Sequence, residues 1–207
     1  MSKILFQGDS ITDVGRPRAN DNGKGEGYPL LVTAQLGFQN PGEYEFINRG
    51  ISGNRSIDLL SRVKADFINL APDYISILIG VNDVWHEIAS HNGVSCKNFE
   101  RNLSMLFDEI FEALPDVKIM MLEPFVLKAS ATEGNWDEFR SETVLRAQAV
   151  KRLCEKYNMR FIPLQDKFDE ACKKAPEAYW ASDGVHPTPY GHELIANAWI
   201  EAFNEIK

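Results

Sequence analysis

Cysteine is scarce in this sequence: Cys96, Cys154 and Cys172 are an odd number, far apart and without a C-x-x-C pair. That spacing gives poor support to a disulfide framework or a zinc knuckle, and Cys154, inside a segment of helical period, is expected in the core. Long apolar runs are also missing. The stretch after Lys3 runs only from Ile4 to Phe6 before Gln7, Gly8 and Asp9 interrupt it, which is too short for a secretory signal. The run from Tyr74 to Val81 is far below the ~20 residues that span a bilayer. A cytoplasmic chain with no membrane span is expected. Positive charge is in deficit, with 22 Lys and Arg against 30 Asp and Glu and a formal net charge of -8. Nucleic acid and anionic lipid, which are drawn by clustered Lys and Arg, are therefore not expected partners.

What remains is an ordinary globular composition, 44% hydrophobic and 25% charged over 207 residues, which suffices for one substantial core. One domain over residues 1–207 is expected. Short β-rich runs alternate with longer segments of helical period, the pattern of a parallel sheet covered by helices on both faces. Strands are predicted at Lys3 to Gln7, Tyr44 to Asn48, Asp73 to Ile79, Val117 to Leu122 and Arg160 to Pro163. Tyr28 to Leu36, Ile57 to Ile68, Phe99 to Leu114 and Ser141 to Tyr157 carry apolar residues at three- and four-residue spacings and read as crossover helices. A last helix is announced by Thr188 as N-cap and Pro189 at the first helical position. Asp13 to Gly27 and Phe125 to Trp136 lack periodicity and follow predicted strands, so they are candidates for lining a pocket.

Four short segments carry residues suited to chemistry. Ser10 follows the first strand, where Gly8 permits a tight turn and a hydroxyl would stand at the carboxyl edge of the sheet. Taken alone, such a serine is more often a helix cap than a nucleophile. Asp183 and His186, three residues apart beside Gly184 and Pro187, can aim into one pocket, and a carboxylate on imidazole Nδ1 fixes the tautomer that leaves Nε2 as base. The loops after the second and third strands bring Gly53 and Asn82 toward the same edge. A glycine amide and an Asn side-chain amide are the donors a tetrahedral oxyanion needs, although either residue alone more often serves a turn.

In order along the chain these segments read Gly-Asp-Ser-Ile-Thr at 8 to 12, Gly-Ile-Ser-Gly-Asn at 50 to 54, Gly-Val-Asn-Asp at 80 to 83 and Asp-Gly-Val-His-Pro at 183 to 187. The set resembles the SGNH hydrolases, the GDSL esterase/lipase superfamily, and spans nearly the whole chain. The resemblance implies a flavodoxin-like three-layer α/β/α sandwich with a five-stranded parallel sheet. It also implies Ser10 as nucleophile, His186 as base, Asp183 as its orienting carboxylate, and Gly53 and Asn82 as oxyanion donors together with the Ser10 amide. The G-x-S-x-G elbow of other α/β hydrolases is absent, and Ser52 is assigned to local turn structure.

The expected activity is hydrolysis of short acyl esters, acetyl esters of carbohydrates foremost, with a small-molecule ester as partner and no cofactor or metal. A lipid or lysophospholipid acyl esterase and an acyltransferase remain open with the same residues. A flavodoxin-like phosphate- or nucleotide-binding protein would account for the first segment but leaves Asp183, His186, Gly53 and Asn82 without a purpose. Asp9 is expected to accept from loop amides and Asp83 to cap the following turn. His86, His91 and His192 are expected to be surface or structural residues, and Trp85, Trp136 and Trp180 are candidates for walls of the site. Helix periodicity does not separate interface from core, so the sequence specifies no oligomeric state.

Overall fold

The strands of the computed structural model, which describes residues 1–207, are β1 (Ser2–Gly8), β2 (Tyr44–Asn48), β3 (Tyr74–Leu78), β4 (Lys118–Leu122) and β5 (Arg160–Ile162). They form one sheet in the order β2-β1-β3-β4-β5, parallel at every pairing. This is the expected α/β fold, in the flavodoxin-like strand order. In such sheets the topological switch point, where ligands bind, lies between β1 and β3.

Side chains alternate across each strand, so the two faces feed two cores. Ile4, Phe6, Met120 and Leu122 enter one of them, while Leu5, Ile75, Ile77, Ile119 and Met121 enter the other. The first core is covered by α2 (Tyr28–Gln39) and α10 (Pro189–Ile206), through Val32, Leu36, Ile195, Trp199 and Phe203. The second is covered by α6 (Cys96–Ala113) and α7 (Trp136–Tyr157), through Phe99, Leu103, Leu106, Ile110, Val150 and Leu153. Cys154 is buried in this second core, as its helical period predicts. Trp199 is fully buried, and its indole N–H donates to Ser76 Oγ at 2.7 Å. At the start of α10, Thr188 Oγ1 accepts from the Gly191 amide at 3.4 Å, with Pro189 in the first turn.

The helix expected over residues 57 to 68 is broken into α3 (Ser56–Ser61), α4 (Val63–Asp66) and a 3-10 turn at Ile68–Leu70. Leu59, Val63 and Phe67 still reach one core, which is why the apolar spacing reads through the break. At the break, the Arg62 guanidinium donates to Gln7 Oε1, Asn54 Oδ1 and Asp66 Oδ2 at 2.8, 3.0 and 3.0 Å. Four further helices lie outside the segments read as helical from the sequence: α1 (Ser10–Asp13), α5 (Val81–Ser90), α8 (Gln165–Ala171) and α9 (Glu177–Trp180). No helix is long and apolar enough to cross a membrane.

Candidate active site

Strand β1 ends at Gly8, whose φ of +154° and closeness to the Leu78 carbonyl and Thr12 side chain admit no Cβ. The chain turns there into α1. Asp9 caps this turn, its Oδ1 accepting from the Ile11 amide at 3.0 Å. Ser10 is the first residue of the turn, so its own N–H has no intrahelical acceptor and its hydroxyl stands at the carboxyl end of the sheet.

The second half of the site comes from the loop before α10. Ser10 Oγ lies 2.9 Å from His186 Nε2, and His186 Nδ1 lies 2.7 Å from Asp183 Oδ2. The other carboxylate oxygen, Oδ1, accepts from the Val185 and His186 amides at 2.9 and 2.8 Å. Burial alone would raise the Asp183 carboxyl, but the amide and ring of His186 and the amide of Val185 outweigh it and hold Asp183 below the ordinary carboxylate range. The loop is braced from outside. Leu127 N–H donates to Gly184 O at 2.8 Å and Ala131 N–H to Asp183 O at 3.0 Å, so the aperiodic segment after β4 buttresses the carboxylate.

Gly53 and Asn82 lie on the loops that follow β2 and β3. Gly53 has φ +82° and no neighbour within 4 Å of the place a Cβ would occupy, and its N–H donates to no group of the chain. Asn82 is buried, and its Nδ2 donates one hydrogen to Asn54 O at 3.1 Å; the second hydrogen makes no protein hydrogen bond. The structure therefore joins Ser10, His186 and Asp183 in one hydrogen-bonded line and ties the Gly53 loop to Asn82.

Two neighbours behave differently from each other. Asp9 accepts from a loop amide as expected, whereas Asp83 does not cap its own turn: its carboxylate accepts from Ser56 N and Oγ on the neighbouring loop. On the other side, Ser52 N and Oγ both donate to Asp13 Oδ2 at 2.9 Å. His192 is buried and structural, its Nδ1 accepting from Tyr28 N–H at 3.2 Å, and burial followed by the charge of His186 pushes it down to about 4. Of the three tryptophans expected as walls of the site, Trp85 stands beside the base, its ring 5.7 Å from that of His186 and 6.1 Å from that of Phe139. Trp136 packs on the core, and Trp180 lines a separate groove of about 580 Å³ with Tyr190 and Leu194.

Burial lifts Asp9 from the ordinary 3.8 to about 7, against the Ile11 amide and the charge of His186, and its Oδ2 has no protein partner. A carboxyl with a raised folded pKa binds more protons in the native than in the unfolded state, so stability falls as pH rises between these two values. Asp9→Asn, neutral at every pH, keeps an oxygen for the Ile11 amide. Its melting temperature is expected to exceed that of the wild type at pH 8 and to converge with it near pH 4; calorimetry showing a pH-independent difference would contradict this.

Comparison with known proteins gives one consistent picture. The profile of the GDSL-like lipase/acylhydrolase family matches residues 6–194. An acetylxylan esterase of Geobacillus stearothermophilus is 36% identical over 209 residues, covering 96% of this chain and 92% of that protein. A candidate GDSL-like lipase from Parabacteroides merdae superposes with a TM-score of 0.94 at 38% identity, over 98% of this chain and 95% of the other. The acetylxylan esterase Axe2 from Geobacillus stearothermophilus superposes with a TM-score of 0.87 at 33% identity, over 97% and 93%.

Proposed function

The chain belongs to the GDSL-like lipase/acylhydrolase family and is a carboxylic ester hydrolase, and from that premise we propose that it removes short acyl groups, acetyl foremost, from carbohydrate esters through Ser10, His186 and Asp183. The observation that carries this reading is the unbroken line of hydrogen bonds from Ser10 Oγ through both nitrogens of His186 to Asp183.

Ser10 Oγ attacks the ester carbonyl as His186 Nε2 takes its proton. The oxyanion of the tetrahedral intermediate is received by the N–H groups of Ser10 and Gly53 and by the side-chain amide of Asn82. His186 then gives its proton to the leaving alcohol oxygen, leaving an acyl-enzyme on Ser10. Water, deprotonated by the same imidazole, cleaves it to the carboxylic acid and restores the serine. Asp183 holds the imidazole in the right tautomer and stabilises the imidazolium formed in each half. Residues 1–207 work as one domain in this reading.

Support for both the short acyl group and the carbohydrate alcohol comes from the acetylxylan esterase relative. Against p-nitrophenyl esters of increasing chain length, kcat/KM is expected to be highest for acetate and to fall by at least about tenfold by octanoate, one to two methylenes costing roughly that factor when a pocket does not accommodate them. Acetate should be released from acetylated xylo-oligosaccharides at a rate proportional to enzyme. A profile rising with chain length would instead favour a lipid acyl esterase.

A further inference from the structure

Asp83 is fully buried and follows Asn82 directly, yet both its oxygens reach away from its own helix. The Ser56 amide donates to Oδ1 and Oδ2 at 3.2 and 3.1 Å, and the Ser56 hydroxyl donates to Oδ1 at 2.6 Å. The same hydroxyl accepts from Asn102 Nδ2 of α6 at 3.1 Å. Ser56 opens α3 three residues after Gly53. Asn82 meanwhile holds the Asn54 carbonyl, so two consecutive residues of α5 grip the segment that leaves Gly53.

Nothing at residue 53 can fix the Gly53 amide. It has no side chain, occupies the left-handed region, and has open space where a Cβ would stand. Its direction is set by its flanks. The segment before it is anchored through Ser52 to Asp13 of α1, and the segment after it through Ser56 to Asp83 of α5.

Asp83 is itself immobilised. Its carbonyl accepts from the Val94 amide at 2.9 Å, and the Val94 carbonyl accepts from the buried Arg146 guanidinium at 2.5 Å. Arg146 also adds positive charge near the carboxylate, opposing the rise that burial imposes.

We propose that Asp83 is a positioning residue of the oxyanion hole, aligning the Gly53 amide with Asn82 by holding Ser56. This rests on the serine-esterase reading above. A donor that stabilises only the tetrahedral state affects kcat and leaves ground-state binding alone. A full oxyanion donor is worth about 10²- to 10³-fold. Misalignment of one through Asp83→Ala is therefore expected to lower kcat on p-nitrophenyl acetate by about 10- to 100-fold with KM within about twofold. Asp83→Asn, which keeps one oxygen for Ser56, should recover part of that loss.

A second readout separates alignment from mere destabilisation. Methylboronic acid accepts the Ser10 oxygen at boron, with the serine proton passing to His186, and forms a tetrahedral anion that uses the same donors. Its affinity is expected to fall in Asp83→Ala by about the same factor as kcat/KM. If Asp83→Ala does not fold, Ser56→Ala, which keeps the amide donor and loses the hydroxyl bond, should show a smaller change of the same kind.

Folded variants of Asp83 and Ser56 with wild-type kcat and boronate affinity would overturn the proposal, whatever their melting temperatures. Asn82→Ala and Ser10→Ala, run alongside, distinguish that outcome from failure of the underlying reading. If both lose activity while the Asp83 variants keep it, only the positioning role falls; if Ser10→Ala keeps activity, the assignment of Ser10 as nucleophile falls, and the oxyanion-hole reading with it.

Discussion

Ser10→Ala is expected to lower kcat/KM on p-nitrophenyl acetate by at least about 10⁴-fold and to abolish the acyl-enzyme burst, without a drop in melting temperature. The size follows from what is removed. Without Oγ no covalent intermediate forms and His186 has no proton to take, while oxyanion donors and binding leave a residual advantage over water of about 10³- to 10⁴-fold. Stability is spared because the hydroxyl makes a single protein hydrogen bond, to His186, and the turn around it is held by the Asp9 cap on Ile11. Stopped-flow absorbance for the burst and steady-state kinetics for turnover would measure both effects. A folded Ser10→Ala protein with turnover near wild type would end the assignment of Ser10 as nucleophile, and with it the acyl-enzyme route.

All five strands were legible because each is a short run with an apolar centre, bounded by residues that stop pairing, in a sheet covered on both faces; their predicted ends shift by no more than one residue. The line from Ser10 to Asp183 was legible for a different reason, since its members sit in short motifs beside glycine and proline at the ends of elements. What escaped the sequence were the contacts that hold those motifs in place. Asp83 reads as a cap from its position one residue after Asn82, but its bond to Ser56 crosses 27 positions and leaves no local signal. Asp13 falls in an aperiodic stretch, and its grip on Ser52 spans 39 positions. Helix α5 was missed because its first turn is the Gly-Val-Asn-Asp segment itself, which reads as loop chemistry. The break at Arg62 was missed because apolar spacing reports which face is buried and is blind to a guanidinium pulled across to Gln7 and Asn54.

Asp183→Asn is expected to lower kcat by about 10⁴-fold at neutral pH, the scale of the same change in serine hydrolases of another fold, with little change in stability. The geometry decides which way the new side chain must face. Oδ1 accepts from two backbone amides, Val185 and His186, so an asparagine keeps its oxygen there and presents its NH2 group at the Oδ2 position, toward His186 Nδ1. An amide nitrogen in that place donates where the carboxylate accepted. Imidazole Nδ1 must then be the acceptor, the ring proton moves to Nε2, and Nε2 can no longer take the proton of Ser10. The loss is therefore one of tautomer, added to the loss of a negative charge beside the imidazolium, and it should appear in kcat while the two amide bonds preserve the fold. A nitrogen-15 spectrum of the His186 ring would show the proton shifted from Nδ1 to Nε2 at the pH where the neutral ring dominates. Activity within about tenfold of wild type, or a ring still protonated on Nδ1, would mean that Asp183 does not orient the base.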